Sequence, residues 1–429
     1  MADVRHMALW SQLRSPRAAL LLVTLALCLI RARDQPGVGI GLGGTTATIV
    51  PADIALAALA VVAILELARR GVSRSAWFAL GWAAVFCALV VATGAANGAT
   101  ALVSGTKLVE LAALGLGTYA LVHTKERFEA LVDVLLLFTL AADVVGVVRF
   151  VSGGGGRQAS FLGEHDFAAL ASLPLLYGLT LVLARGRDRR AALAIVAGSV
   201  GCILGAALAS LLGLYFGAAV LVAIVALRRR LDLRGLLVTA AVLAAVTAGT
   251  VSIRSGDLGF LQSWFGKPAS TPGQYAAGWS QRLIYAYVGG RIFIDHPLLG
   301  TGWYGDLPPS AFVQYLPDAR RRFSDQPARY FPPADTDFIP QQTFDEVLYE
   351  LGIAGGVAML GLLLALGRGC VRTARRTGGS LSPLPAAWLA ASIGALAGEG
   401  FFGGTALAAT FWFVAGIALA VVVTQTETE

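Results

Sequence analysis

Long apolar stretches separated by short polar connections make up most of the chain. Several reach the roughly 17 to 25 residues that an α-helix needs to cross about 30 Å of hydrocarbon. Apolar runs of this length predict membrane-spanning helices instead of the buried helices of a soluble protein. The twelve predicted spans are 18–30, 52–68, 75–93, 107–123, 129–150, 167–184, 191–207, 208–227, 235–252, 344–367, 383–398 and 405–424.

The first predicted span follows a polar, basic segment, Met1 to Arg17, and is short. A basic segment before a short apolar run is also typical of a signal peptide. A small-residue cleavage pattern is missing, and the charged sequence RARDQ follows directly. We therefore expect an uncleaved first span.

One polar block interrupts the pattern, from Ile253 to Gln342, and it holds ten of the sixteen prolines. Proline removes a backbone donor and breaks helices, and hydrocarbon offers no water to satisfy the freed carbonyls. The block therefore predicts an external loop with short helices. It divides the chain into residues 1–252 with helices 1–9, residues 253–342 outside the membrane, and residues 343–429 with helices 10–12.

Composition agrees with this division, because 56% of the residues are hydrophobic and only 14% are charged, against about a quarter charged in soluble domains. The predicted fold class is an all-α polytopic membrane protein with about 12 transmembrane helices and one large external loop between helices 9 and 10. A transporter with two matched halves is disfavoured, since no internal repeat is apparent and the loop is not central.

Alternate connections are basic, so that 20 of the 33 lysines and arginines fall on one side of the predicted membrane. The positive-inside rule makes that side cytoplasmic. Both termini are then cytoplasmic, and the polar block is external. The net charge of +7 reflects topology, so we expect no nucleic-acid partner.

The polar block contains a cationic, aromatic segment, Gln281 to Gly305. Arg282 and Arg291 are nine residues apart, so a continuous helix would point them to opposite sides. Arginine suits phosphate recognition, and aromatic faces such as Trp303 and Tyr304 suit sugars or lipid head groups. The same residue types also anchor proteins at a membrane surface. Composition alone leaves both interpretations open.

Motif spacing adds a resemblance. Thirteen residues after Arg282 comes DHPLLGTG, at 295–302, and QQTFDEVLYELGIAGG follows at 341–356. These resemble two linked motifs of the O-antigen ligase and Wzy-type polymerase family. Upstream, GRQASFLGEHDFAALASLPLL at 156–176 is similar to that family's earlier external motif, with Arg157 at the position of its arginine.

The resemblance implies a fold like that of the C-type glycosyltransferases, in a bacterial inner (plasma) membrane. It implies transfer of a glycan from undecaprenyl diphosphate to a hydroxyl of a glycan or glycolipid acceptor at the external leaflet, without a metal or other cofactor. Arg282, and secondly Arg157, would stabilise the diphosphate leaving group. His165, Arg291, Trp303 and Tyr304 are expected to contact substrate. The alternatives are a Wzy-like polysaccharide polymerase and a non-catalytic binder or transporter of lipid-linked glycans.

The chain departs from the family where Gln341 stands at the position of a histidine regarded as the activator of the acceptor hydroxyl. Glutamine cannot act as a general base. Asp345 and Glu346 lie about one helical turn further on and are the nearest replacements. Acids in the first turn of a helix are also favoured by the helix dipole alone, so a structural role for both is the competing interpretation.

Overall fold

The computed structural model describes residues 12–153, 155–185, 188–228, 232–255, 276–376 and 379–420. Within them, eight helices are long and apolar enough to cross a membrane, and three shorter apolar helices lie at 16–28, 384–398 and 406–419. Together with a helix at 189–205, they fall on all twelve stretches predicted to span. The chain is a multi-pass membrane protein, and the number of crossings stays a prediction.

In the part of the chain that the structure describes, ten α-helices precede the polar block. They are α1 (Pro16–Cys28), α2 (Pro51–Arg70), α3 (Arg74–Asn97), α4 (Ala99–Glu110), α5 (Ala112–Leu121), α6 (Lys125–Ser152), α7 (Glu164–Arg185), α8 (Arg189–Gly205), α9 (Leu208–Leu227) and α10 (Leu233–Ile253). The later helices are α11 (Ala276–Asp295), α12 (Pro309–Phe312), α13 (Leu316–Arg322), α14 (Thr343–Arg376), α15 (Leu384–Ala395) and α16 (Ala406–Leu419). Helices α4 and α5 together occupy one predicted span.

The all-α prediction needs one correction, because a β-hairpin lies between α1 and α2. Strand β1 (Val38–Leu42) pairs antiparallel with β2 (Thr45–Ile49). Gly43 and Gly44 join them with φ of 52° and 92°, and positive φ at both central residues is what a tight type I′ turn requires. Glycines alternating with apolar residues before a Gly-Gly pair were the sequence signal for this hairpin.

Close backbone contacts hold the middle of the helical bundle together. A Cβ at Gly198 of α8 would lie only 2.6 Å from the carbonyl oxygen of Ala171 on α7, and one at Gly217 of α9 only 2.7 Å from that of Ala387 on α15. Inside a membrane, no water is present to drive the burial of apolar side chains. Small residues at helix crossings let the helices approach closely, and this close packing stabilises their association. This packing fixes the position of the joint between α8 and α9, which carries part of the site described below.

The described part of the polar block has an aromatic core of its own. The ring of Phe338 stacks on Tyr285 of α11, with centroids 4.8 Å apart, and meets Tyr349 of α14 edge to face at 5.8 Å. The same buried cluster includes residues of α12 and α13. These aromatic side chains are therefore core residues and not a surface for sugars. Since Tyr349 belongs to α14, the block packs directly on the helix that follows it.

Cysteines introduced on the two faces are expected to react differently with an impermeant thiol reagent added to intact cells. Thr336 is exposed in the polar block, and Arg69 is exposed at the basic end of α2. Thr336→Cys should be labelled and Arg69→Cys should not, because the positive-inside rule places the basic connections in the cytoplasm. A Cys87→Ala background suits the experiment, since the other three natural cysteines are buried. Reversed labelling would overturn the orientation.

Candidate active site

The two motifs recognised in the sequence interlock in the structure. Helix α14 is kinked at Gly352, whose φ of 61° and ψ of −155° are not helical. A kink frees backbone N–H groups that a regular helix would satisfy internally. The DHPLLGTG turn satisfies them, because Ile353 N–H donates to the carbonyl of Pro297 at 2.8 Å and Ala354 N–H to that of Leu298 at 3.1 Å. Each motif thus completes the backbone hydrogen bonding of the other.

A buried carboxylate strengthens this junction. Glu350, fully buried on α14, accepts hydrogen bonds from the backbone N–H groups of Tyr304 at 2.7 Å and Gly305 at 3.0 Å. Trp303 is also fully buried, and its backbone N–H donates to Thr93 Oγ1 of α3 at 3.0 Å. The structure therefore places Trp303 and the backbone of Tyr304 in the connection between the polar block and the bundle, and not on a substrate surface.

We expect Gly352→Ala to destabilise the protein by about 1–3 kcal/mol or more. The φ and ψ of this residue lie in a region that is essentially restricted to glycine. A Cβ there would also lie 2.5 Å from the carbonyl carbon of Leu298. Thermal unfolding of the detergent-solubilised protein measures the effect. Gly367→Ala is the matched control on the same helix, because its φ is not positive and its Cβ would meet open space; equal unfolding temperatures for the two variants would contradict the interpretation.

Arg282 lies where the polar block meets the ends of α14 and α15. Its Nη2 donates to the carbonyl of Gly398 at 2.9 Å, and its Nη1 to that of Gln341 at 3.4 Å. Burial lowers the pKa of Arg282, and the positive charges of Arg157 and Arg254 lower it further. Three guanidinium groups from separate parts of the chain are thus close enough to repel one another.

The other two arginines are held by the end of α8. Arg157 Nε donates to the carbonyl of Gly205 at 3.3 Å, and Arg254 Nη1 donates to that of Ala206 at 2.9 Å. The last carbonyls of a helix have no partner within the helix and carry the negative end of its dipole. Ala206 has a φ of 44°, a left-handed conformation that commonly ends helices. The joint between α8 and α9 is therefore built to orient two cationic side chains.

Sequence reasoning predicted Arg282 and Arg157 but missed Arg254. The signal was present, because Arg254 directly follows an apolar span at its predicted external end. Positive residues are depleted at that end of a span. A cation at that position therefore indicates a function.

His165 lies within reach of all three arginines, each of which acts electrostatically on its ring. Its Nδ1 is buried without a hydrogen-bond partner in the described part of the chain, and a Cβ at Gly398 would lie 3.0 Å from that atom. Gly398 is the residue whose carbonyl Arg282 binds. The predicted residues Arg157, His165, Arg282 and Gln341 are thus brought together, and we call them, with Arg254, the arginine cluster.

The two acids that follow Gln341 have different environments. Glu346 is fully buried, and its Oε2 accepts the backbone N–H of Phe401 at 2.5 Å. Asp345 is partly exposed, and its negative charge acts on Arg282. Only Asp345 therefore combines access with proximity to the cluster, while Glu346 fixes the start of α14 against the segment after α15.

Glu399 adds an ionisable group that titrates near neutral pH. Burial raises its pKa to about 8, and the negative charge of Asp166 contributes in the same direction. Arg31 and Arg282 oppose the shift, and Glu164 adds to it. Glu164 in turn forms an ion pair with Arg157 at 2.7 Å. Carboxylates therefore border the arginine cluster, and the protonation of Glu399 sets part of its net charge.

Arg291 does not join the cluster. On the continuous helix α11, its Nε lies 3.6 Å from Asp318 Oδ2, with the arginine side chain 43% exposed. This agrees with the expectation that Arg282 and Arg291 point to opposite sides. The structure gives Arg291 a place in the polar block, away from the other predicted site residues.

Comparison with known families bears on this geometry. Residues 192–360 match the family model described as O-Antigen ligase. This matched region, which is less than half of the chain, resembles the O-antigen ligase family. No curated protein matches the chain. The matched region includes Arg254, Arg282 and both interlocked motifs, whereas Arg157 and His165 precede it. The family resemblance predicted from the motifs is confirmed, and the family implies glycosyltransferase-like chemistry on lipid-linked glycans at a membrane.

Chemically, the arginine cluster is suited to a multiply charged anion. Arginine offers planar, bidentate hydrogen bonding to phosphate through five N–H donors per side chain. Among the described residues, no group of three or more His, Cys, Asp and Glu side chains has the geometry to hold a metal ion. In the described residues, the guanidinium groups of Arg157, Arg254 and Arg282 supply positive charge in this region.

Proposed function

We propose that this protein transfers a glycan from undecaprenyl diphosphate to an acceptor hydroxyl at the external end of the helical bundle. The observation that supports it best is the meeting of Arg157, Arg254 and Arg282 beside an ionisable network, partly within the region that matches the O-antigen ligase family. Backbone carbonyls of Gly205, Ala206 and Gly398 hold the three guanidinium groups in place, and arginine so positioned suits bidentate binding of phosphate.

In this proposal the acceptor oxygen attacks the anomeric carbon of the donor. The bond from that carbon to the diphosphate oxygen breaks, and its electron pair leaves with the lipid diphosphate. Negative charge on the leaving group grows as the bond breaks, so preplaced guanidinium groups stabilise the transition state more than the bound donor. Arg282 is the central group, and Arg157 and Arg254 hold the remaining phosphate oxygens.

The proton of the acceptor hydroxyl needs a destination, and we assign it to the carboxylate of Asp345. This residue is the partly exposed acid beside Arg282. Gln341 lies at the same place, since its backbone carbonyl accepts from Arg282, and its neutral amide can orient a sugar hydroxyl without removing the proton. General-base catalysis of this kind contributes about 10²- to 10⁴-fold.

A transfer assay with the purified full-length protein tests the function. The donor is a synthetic oligosaccharide on undecaprenyl diphosphate, and two acceptors are offered separately, a glycolipid and a second molecule of donor. The proposal expects protein-dependent release of undecaprenyl diphosphate with an extended product. Extension only of the second donor molecule would identify a polymerase. Binding of the donor without release of undecaprenyl diphosphate, whichever acceptor is offered, would identify a non-catalytic binder and overturn the proposal.

The pH dependence of donor binding should depend on Glu399. Below its pKa of about 8 the carboxyl is protonated and neutral, so the arginine cluster keeps its full positive charge. As pH rises through 8, a carboxylate appears near Arg282, and affinity for the diphosphate should fall by at most about tenfold per pH unit. Glu399→Gln should keep the higher affinity.

Measuring undecaprenyl diphosphate binding to wild type and Glu399→Gln between pH 6.5 and pH 9.5, values chosen roughly to bracket the transition, checks this. Titration of the ligand itself affects both proteins equally, so it cancels when the two pH profiles are compared. The other charged groups facing Glu399, namely Asp166, Arg31, Arg282 and Glu164, are unchanged in the variant. Identical pH profiles for the two proteins would show that Glu399 does not govern binding.

A further inference from the structure

A second cationic site lies at the opposite end of the bundle, on the face that carries the basic connections. A cavity of about 360 Å³ opens between the first turns of α3 and the last turns of α14. It is lined by Arg74, Ser75, Phe78, Ala365, Arg368 and Arg372. We call it the basic-face pocket. None of these residues belongs to the arginine cluster, and the proposed transfer reaction does not use them.

Among the described residues that line the basic-face pocket, all the charged ones are arginines. Within the described residues, no ion pair or hydrogen bond joins Arg74, Arg368 or Arg372 to a carboxylate. Some other arginines on this face have carboxylate partners, such as Arg70 with Glu66 at 2.5 Å and Arg190 with Glu129 at 3.6 Å. The positive-inside rule requires only cations near the membrane, and it does not explain three of them around one cavity without an acid.

Apolar surface continues from the pocket along both helices. On α14, Leu360 and Leu364 precede Arg368 at four-residue intervals and are 56% and 61% exposed. On α3, Phe78 is four residues after Arg74 and 57% exposed. Residues four apart share a helix face, so each helix presents an apolar stripe that ends in arginine. A Cβ at Gly361 would lie 2.5 Å from the ring of Trp82, so the two helices are in close contact one turn beyond the lining residues Phe78 and Ala365.

From this arrangement we infer that the basic-face pocket binds the head group of an anionic phospholipid. The arginines would hold the phosphate, and the two apolar stripes would lie against the acyl chains. A free phosphate ion would use only the cationic end of the site, whereas a lipid matches both the charge and the exposed apolar surface. A zwitterionic lipid brings its own cation and gains less from three arginines.

Native mass spectrometry of the full-length protein in detergent, with phosphatidylglycerol or phosphatidylcholine added, tests the inference. The wild type is expected to retain phosphatidylglycerol preferentially. The variant Arg74→Gln/Arg368→Gln/Arg372→Gln should bind it roughly a hundredfold more weakly. The matched control is Arg14→Gln/Arg69→Gln/Arg234→Gln, which removes the same charge from exposed positions outside the pocket and should bind like the wild type.

Equal loss in both triple variants would mean that only general surface charge attracts the lipid, and the site would be refuted. Retention of wild-type binding by the pocket variant would refute it as well. Displacement of the lipid by inorganic phosphate would indicate a site for a soluble anion instead. If the triple variant does not fold, Ser75→Trp replaces it, since it fills the cavity without changing charge; unaltered phosphatidylglycerol binding by Ser75→Trp would also contradict the inference.

Discussion

Replacing Arg282 with alanine is expected to reduce glycan transfer by roughly a hundred- to a thousandfold, the usual effect of removing one group that stabilises developing negative charge. Arg282 is held at 2.9 Å from the carbonyl of Gly398 and faces two other cations, so its position does not depend on the substrate. The loss should fall on kcat, because the charge that it stabilises grows in the transition state. Initial rates with a saturating lipid-linked donor measure it.

Two variants sharpen this experiment. Arg282→Lys should recover little activity, since an ammonium group lacks the planar pair of donors. Arg291→Ala is the matched control on the same helix, because Arg291 pairs with Asp318 in the polar block, and its transfer rate should be unchanged. Thermal unfolding of each variant separates lost catalysis from lost structure. Full transfer activity in Arg282→Ala would contradict this role. It would favour the alternative interpretation, in which the segment anchors the protein at the membrane surface.

The second large effect is expected at Asp345. Changing Asp345 to asparagine preserves shape and removes the carboxylate, so transfer should fall by about 10²- to 10⁴-fold if this group accepts the acceptor's proton. Glu346→Gln should act differently. Its buried carboxylate accepts the Phe401 N–H, so we expect reduced thermal stability with normal transfer per folded molecule. Gln341→Ala should lower transfer only modestly.

Measuring transfer and thermal unfolding together for these three variants distinguishes the roles. Normal transfer by Asp345→Asn would exclude it as the base. His165, whose Nδ1 is buried near Gly398 without a hydrogen-bond partner in the described residues, would then be the next group to test. Severe loss of transfer in a stably folded Glu346→Gln would show that the buried acid takes part in the chemistry.

The helical bundle was largely predictable, because a membrane imposes its own thickness on the sequence. A helix that crosses hydrocarbon must be apolar over about 20 residues, and all twelve predicted spans coincide with helices. The helix bounds differ from the predicted spans by a few residues where polar residues extend a helix. Helix α6, for example, begins at Lys125 and ends at Ser152. The hairpin at β1 and β2 was missed because it is short and lies outside this constraint.

The candidate site was predictable only in part, because sequence spacing does not reveal tertiary neighbours. Arg282, Arg157, His165 and Gln341 were predicted singly, and nothing in the sequence places them beside the end of α8. Trp303 and Glu346 were expected at the site from their motifs. Both are fully buried, which favours a role in packing, and the Glu346→Gln variant tests that role for the acid. A motif identifies residues that matter to a fold or a reaction, and burial separates the two roles.

The central claim is that the arginine cluster binds the diphosphate of a lipid-linked glycan. A cryo-electron microscopy map of the full-length protein with undecaprenyl diphosphate, in lipid nanodiscs, tests it most directly. We expect density for two phosphates in contact with Arg282 and bounded by Arg157 and Arg254, with the lipid chain leaving toward the bundle. Phosphate density at the membrane surface or in the basic-face pocket, with none at Arg282, would contradict it.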